Sequence, residues 1–326
     1  MPETTFITDP SELQSILALP ESADRRAAAA LAFRIPRSLA ERIKKGDPDD
    51  PILLQFWPNA LENDSPPGFT ADPLAERQGS TPEEALPDGL LWKYAGRVLV
   101  MTRGICAAHC RFCFRRHFPA APPVDWGGIA SFLERNGSVE EIILSGGDPL
   151  GMPRGELDLA LHYIKDLSFV KRVRIHTRYP ILFPSSLTSD LCRRFEEVER
   201  AGKKLLFVFH LNHPAELTSE AAEAVGRLRT AGFSLFSQTV LLRGVNDRVE
   251  TLVELLTRAF ELGIVPYYLH QLDRVAGAAH FEVPVDEGRR IVGELRARLP
   301  GYLVPRYVRE IPGAPSKIPL ELSPSE

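Results

Sequence analysis

The stretch Arg97-Val-Leu-Val-Met-Thr-Arg-Gly-Ile-Cys106-Ala-Ala-His-Cys110-Arg-Phe-Cys113-Phe-Arg-Arg-His117 decides how this 326-residue chain is read. An apolar run that reads as a strand, Arg97–Thr102, empties directly into a loop crowded with thiols. Cys106, Cys110 and Cys113 fall within eight positions, spaced C-x3-C-x2-C, and are three of the four cysteines. Three thiolates on one short loop can hold three irons of a 4Fe-4S cube and leave the fourth iron open to a chelating small molecule. The competing reading is zinc, with His109 or His117 as fourth ligand, but structural zinc sites usually pair two such knuckles far apart in sequence. Cys192 stands alone in a helical stretch and reads as a small buried hydrophobe. A long, cysteine-poor chain without a signal peptide argues against a disulfide framework.

Outward from this loop the texture is repetitive. Short apolar runs at Arg97–Thr102, Glu141–Ser145, Arg172–Thr177, Lys204–His210, Phe233–Leu241 and Ile264–Leu272 alternate with amphipathic stretches. The latter include Leu157–Asp166, Ser189–Ala201, Ser219–Ala231 and Val249–Leu262. Strand–helix alternation of this kind predicts βα units and a parallel sheet, closed or nearly closed into a barrel. The cysteine loop follows the first strand, at the C-terminal strand ends where barrels place their active-site groups. Residues 10–46 read as helical up to Gly46 and Pro48, and residues 47–90 as irregular with many turn signals. The expected organisation is an N-terminal extension over 1–90, a barrel over 91–298 and a C-terminal segment over 299–326.

Composition sets the wider bounds. With 44% hydrophobic and 25% charged residues the chain reads as an ordinary soluble globular protein. A net charge of −4 gives no broad electrostatic argument for nucleic acid. No apolar run approaches a membrane span, and the N-terminus lacks the features of a signal peptide. Free thiolates and an oxygen-sensitive cluster favour a reducing cytoplasmic setting.

Further motifs narrow the chemistry. Ser145-Gly-Gly-Asp-Pro149 ends the second strand; by itself it is an ordinary β-turn with room for a close backbone approach. Together with the cysteine spacing it resembles the radical S-adenosylmethionine (SAM) superfamily. The resemblance then sharpens. Tyr94-x-x-Arg-Val-Leu-Val, the cysteine run, Leu-Ser-Gly-Gly-Asp-Pro-Leu, Asn212-His-Pro-Ala-Glu and Gln238-Thr-Val-Leu-Leu-Arg-Gly-Val-Asn-Asp247 together resemble the lysine 2,3-aminomutase family. The likeness runs from about Phe33 to Leu322. Ile35-Pro-Arg, Lys45-Gly-Asp-Pro-Asp-Asp-Pro51, Pro67-Gly-Phe-Thr-Ala-Asp-Pro-Leu and the run Tyr267–Phe281 look like its short branch, which makes (R)-β-lysine for elongation factor P.

That resemblance implies a partial (βα)6 TIM-like radical SAM barrel and three cofactors: a 4Fe-4S cluster on Cys106, Cys110 and Cys113, SAM, and pyridoxal 5'-phosphate (PLP). Gly146, Gly147 and Asp148 match the segment that receives the methionine amino group, and His210 and Gln238 match SAM-pocket positions. His210 reads equally as a satisfied core histidine, while Arg178 is a polar strand-end residue with no assigned role. Lys317, in Pro312-Gly-Ala-Pro-Ser-Lys-Ile-Pro319, matches the lysine that holds PLP as an imine, although a lone lysine in a Gly/Pro tail is ordinarily a solvated loop residue. Lys93 and Tyr94 match positions near the cofactor phosphate and ring. Arg115 matches the substrate-carboxylate arginine, since a guanidinium can grip a carboxylate with two bonds. Asp273 and Glu310 match the acids that receive the ε-ammonium.

The implied reaction moves the amino group of free L-lysine from C2 to C3, through a deoxyadenosyl radical that is later returned to SAM. Free lysine is favoured because Arg115 needs an unblocked carboxylate. Implied partners are a flavodoxin- or ferredoxin-type electron donor and, downstream, elongation factor P with its lysyl ligase; no nucleic acid or membrane is involved. Longer relatives carry zinc cysteines after the Val-Asn-Asp motif and beyond the PLP lysine. Here Arg248 follows Asp247 and no cysteine follows Lys317, so no zinc site is expected, and any homo-oligomer would assemble without one. Two other readings stay open: the same chemistry on another amino acid, and a cluster-binding protein without turnover.

Overall fold

The computed structural model describes residues 6–20, 22–76, 86–102, 106–119 and 123–321. Its N-terminal extension contains β1 (Phe6–Ile7), α1 (Pro10–Leu17), α2 (Arg25–Ala30), β2 (Ile35–Pro36), α3 (Arg37–Ala40) and α4 (Pro51–Leu54). The helical expectation for residues 10–46 is therefore met only in short pieces. Pairing of Phe6 with Pro36 and Ile7 with Ile35 makes a small antiparallel ribbon where helix was expected. The departure begins at Leu31, which ends α2 in extended backbone at φ −137° and ψ 115°. Residues 47–76 and 86–89 hold only α4 and a 3-10 turn at Ala60–Asn63, in keeping with an irregular reading. Residues 77–85 lie outside the described residues, as do Arg103–Ile105 of the cysteine run.

The main sheet starts with β3 (Leu90–Tyr94) and β4 (Arg97–Thr102), followed by α5 (Trp126–Arg135), β5 (Glu141–Gly146), α6 (Arg154–Asp166) and β6 (Arg172–Thr177). Then come α7 (Tyr179–Leu182), α8 (Ser189–Arg200), β7 (Lys204–His210), α9 (Ser219–Thr230), β8 (Ser234–Val240) and α10 (Val249–Glu261). The chain ends through β9 (Val265–His270), α11 (Val285–Arg298), β10 (Arg306–Arg309) and β11 (Ile318–Pro319). Nine strands form one open sheet in the order β11-β10-β9-β8-β7-β6-β5-β4-β3. Strands β4 to β10 pair in parallel, and β3 and β11 close the two edges antiparallel. This is a partial barrel in which the parallel strands β4 to β9 each feed a helix that returns over the outer face, while β10 runs on into β11. All six strands expected from sequence are present to within two residues at either end.

The sequence reading counted six parallel strands; the structure has a seventh. Arg306–Arg309 is too short and too charged for periodicity to reveal it, and it pairs with Tyr268–His270 only because α11 carries the chain back. The Gly/Pro-rich tail is likewise a hairpin, with Arg309 opposite Ile318, so Glu310 and Lys317 face each other at the next position outward.

Pleating explains how the barrel is filled. Along β6, Val173, Ile175 and Thr177 are buried while Arg174 and His176 alternate with them and line the interior cavity. The register His210↔Gln238, Gln238↔Tyr268 and Val240↔His270 brings the strand ends of β7, β8 and β9 to one rim. The outer shell is apolar: Leu157, Leu161, Phe195, Leu228, Leu252, Leu256 and Ile291 are buried beneath their helices.

Candidate active site

The cysteine loop is clamped by buried charge before any ligand arrives. Arg111, 0% exposed, donates Nε and Nη2 to the two Glu62 oxygens at 2.8 and 2.7 Å. Its Nη1 and Nη2 also reach the carbonyl oxygens of Leu31 and Ala27 at 2.7 and 2.8 Å. Arg116 donates to Glu62 Oε2 at 2.5 Å and to the Arg111 and Gly277 carbonyls at 2.6 and 3.0 Å. Burying three charges is tolerable because nearly every N–H finds an oxygen. His109 Nδ1 lies 2.7 Å from the Ala32 carbonyl and His117 Nε2 lies 2.9 Å from that of Ala276. Both imidazoles thus anchor the loop, one to the extension and the other to the segment after β9.

Cys106, Cys110 and Cys113 line one interior cavity of about 530 Å3. Burial raises all three thiols above their ordinary value, Cys113 to about 11, and the neighbouring thiolates add to this at Cys106 and Cys113. Three buried thiols that repel one another when ionised suit a polynuclear cation that neutralises them together, which is the donor chemistry of an iron–sulfur cluster.

Asp148 ties two turns together. Its carboxylate accepts from Thr177 Oγ1 at 2.7 Å and from the backbone N–H groups of Arg178 (2.6 Å), Leu150 (3.0 Å) and Tyr179 (3.2 Å). Burial lifts it to about 6 against the pull of these donors. This carboxylate holds the β6–α7 turn, and it places Arg178. Gly146 also has an internal reason: at φ +101° a Cβ would lie 2.9 Å from the Thr102 nitrogen of β4. Gly147, His210 and Gln238 line the cavity beside the thiols. His210 faces the cavity, and its Nε2 meets Asn212 Oδ1 at 3.2 Å while its ring packs 5.7 Å from Phe112.

Across the cavity the charges sit in exchangeable pairs. Lys317 Nζ is bonded to Glu310, and Lys93 Nζ bridges Glu310 and Glu76 at 2.9 Å each. Burial would raise Glu310, but the Lys317 and Lys93 ammoniums outweigh it and hold the acid down at about 2. Arg115 donates Nε and Nη2 to Glu76 at 2.6 and 3.0 Å, leaving Nη1 with only a 3.4 Å contact to Ser145 Oγ. Asp273 receives no side-chain or backbone donor among the described residues, and burial, then the Glu310 charge, pushes it up to about 7. Its segment is pinned by the Thr70–Val275 bridge, with Thr70 N–H on the Arg274 carbonyl at 2.9 Å. Tyr94 lines the same wall. Lys317, Lys93 and Tyr94 give a lysine amine, a second cation and a ring within one pocket, a set that fits a phosphorylated aldehyde cofactor.

Sequence reasoning missed several lining residues. Glu76 lay in an irregular stretch with no motif of its own. His176 and His270 are neutral imidazoles: burial drives His176 well below the ordinary value and His270 to about 3. Arg174 grips Glu141 through Nε and Nη2. The signal available for these three was polarity at alternate positions of strands that should be apolar on both faces.

With this geometry in hand, comparison with known proteins is specific. No family model matches the chain. The Escherichia coli L-lysine 2,3-aminomutase is 42% identical over 97% of this chain and 92% of its own length. The Haemophilus influenzae protein of the same name is 38% identical over 95% and 92%. The Clostridium subterminale one is 33% identical over 85% of this chain and 66% of its own. Among solved structures, a radical SAM methyltransferase from Sphaerobacter thermophilus overlaps with a TM-score of 0.46 at 20% identity, over 67% of this chain and 68% of that one. The chain belongs to the L-lysine 2,3-aminomutase family of radical SAM isomerases, whose members use a 4Fe-4S cluster, SAM and PLP.

Proposed function

We propose that the chain converts free L-lysine into (R)-β-lysine, and that the product serves the modification of elongation factor P by a separate ligase in the cytoplasm. When bound, the three cofactors supply the radical and activate the migrating nitrogen. The protein's residues do the rest. Cys106, Cys110 and Cys113 would hold the cluster, with Gly147, His210 and Gln238 beside the adenosyl ligand. Lys317 would hold PLP, flanked by Lys93 and Tyr94. Arg115 would orient the substrate carboxylate, and the apolar lining at Leu74, Leu91 and Leu272 would disfavour water around the reacting carbons.

One observation favours lysine over other amino acids: Asp273 is a half-buried acid whose carboxylate has no partner among the described residues, next to a carboxylate already carrying ammoniums. Glu310 accepts Lys317 and Lys93, so the pocket binds amine side chains by construction. A substrate ε-ammonium would satisfy Asp273 and take the place that Lys317 gives up when engaged elsewhere. A glutamate or neutral side chain would leave these acids uncompensated.

Anaerobic turnover tests the reading. Cluster-loaded protein with PLP, SAM, reductant and L-lysine is expected to yield (R)-β-lysine on chiral chromatography, abolished in Cys110→Ala and Lys317→Ala. SAM cleavage without β-lysine would sink lysine as the substrate. The downstream role is checked by adding elongation factor P and its ligase and weighing the product: a lysyl-sized adduct formed equally well from α-lysine alone would remove it.

A further inference from the structure

The strand-end residue left without a role by the sequence, Arg178, has a definite one in the structure. Its Nη1 donates to Cys110 Sγ at 2.9 Å. Its Nη2 donates to Gln55 Oε1 at 2.6 Å and to Glu216 Oε2 at 3.0 Å. Arg178 is buried, Gln55 and Glu216 are completely so, and Arg178 Nε is buried with no partner among the described residues. The guanidinium carbon sits 5.1 Å from the Phe56 ring centroid. Its backbone N–H is fixed by Asp148. Glu216 in turn is locked by Gln55 Nε2 (3.2 Å) and by the backbone N–H groups of Asn212 (3.2 Å) and His213 (3.1 Å). The pair cannot swing away, and no bulk water screens it.

We propose that Arg178 and Glu216 set the reduction potential of the iron–sulfur cluster, Arg178 by donating to the Cys110 sulfur and Glu216 as its buried counter-charge. The inference rests on the cluster being held by the cysteine loop. Uptake of one electron from an external one-electron donor takes the cluster from the 2+ to the 1+ state and adds one negative charge to its sulfurs and irons. A cation hydrogen-bonded to a ligand sulfur stabilises the more negative state, and it does so strongly where the dielectric is low. Hydrogen bonds to ligating atoms are a principal means by which proteins tune metal centres. Glu216 opposes this effect at longer range, so the two side chains push the potential in opposite directions. Cys106 and Cys113 have no comparable side-chain donor among the described residues, which makes Cys110 the tuned ligand. Arg178 is a positioning and tuning residue rather than a catalytic one.

The test is an EPR-monitored redox titration of cluster-loaded protein without lysine or PLP, so that turnover plays no part. Arg178→Gln removes the cation and is expected to lower the ratio of reduced to oxidised cluster at a given potential about tenfold, a fall of about 59 mV for one electron. Glu216→Gln is expected to shift the midpoint upward, and Arg178→Lys to lie between wild type and Arg178→Gln. Midpoints unchanged in all three overturn the proposal. So does a shift of Arg178→Gln and Glu216→Gln in the same direction, which is what a purely packing role would produce. If Arg178→Gln fails to assemble a cluster, Arg178→Lys decides: a wild-type midpoint overturns the proposal and a lowered one supports it. Wild-type protein that takes up no iron and sulfide overturns the cluster reading itself, and the proposal with it.

Discussion

The two ends of the cavity solve opposite problems with the same kinds of residue. Around the cysteines the buried cations are already engaged: Arg111 and Arg116 share the single carboxylate of Glu62, and Arg178 is held by Glu216 and Gln55. Around Lys317 the matches are provisional. Glu310 carries two ammoniums, Arg115 presents its two-bond edge to Glu76, and the Asp273 carboxylate has no partner among the described residues. A metal cluster needs ligands held still in advance, because its geometry is fixed by metal–sulfur bonds. A substrate that arrives and leaves each turnover needs partners that can be exchanged. Saturated charge belongs to the cluster end and unsaturated charge to the substrate end.

This contrast can be broken most directly at Glu62. Glu62→Ala leaves two buried guanidiniums uncompensated and is expected to cost about 3–5 kcal/mol of stability. Urea unfolding of the cofactor-free chain measures it, and a loss below 1 kcal/mol would mean that the clamp is not structural. At the other end, Asp273→Asn is expected to leave unfolding unchanged. It should reduce kcat/KM for lysine by about 10- to 100-fold, the worth of a charge-assisted contact of about 1.5–3 kcal/mol. Equal loss of stability in both variants would erase the distinction between the two ends.

A smaller effect is expected at Glu76. Glu76→Ala frees the Arg115 fork from its fixed orientation and should lower kcat/KM about tenfold, with PLP still bound by Lys317. Steady-state kinetics alongside the absorbance of bound PLP separate these quantities. The smallest effect is one of pH. Asp273 titrates at about 7 in the free protein, with Glu310, Glu76, Lys317 and Lys93 facing it. An ammonium needs the ionised carboxylate, so KM for lysine should rise several-fold as pH falls below 7 and level off above it. Asp273→Asn should lack that inflection; if it persists, another group is responsible.

Much of this was legible in the chain alone. The six strands are local apolar runs, and the C-x3-C-x2-C spacing and the Gly-Gly-Asp turn are local too. Local features survive in sequence because neighbours in the chain are neighbours in space. What could not be read is pairing over distance. Lys93 meets Glu310 across 217 positions and Arg178 meets Gln55 across 123, and nothing in either neighbourhood announces the partner. The terminal hairpin was missed for the same reason, since β10 is four residues long and is a strand only against β9. Asp148 shows the limit from the other side: the turn that carries it is local, but only folding revealed that its carboxylate holds the β6–α7 turn.

By itself, then, the sequence determined the βα rhythm, the cluster loop and the kinds of charge available, because periodicity and spacing act over a few residues. The tertiary structure alone decided which charges are satisfied and which are left open. Hydrogen-bond partners and burial depend on how seven parallel strands bring distant segments to one rim, and that arrangement separates the locked end of this cavity from the open one.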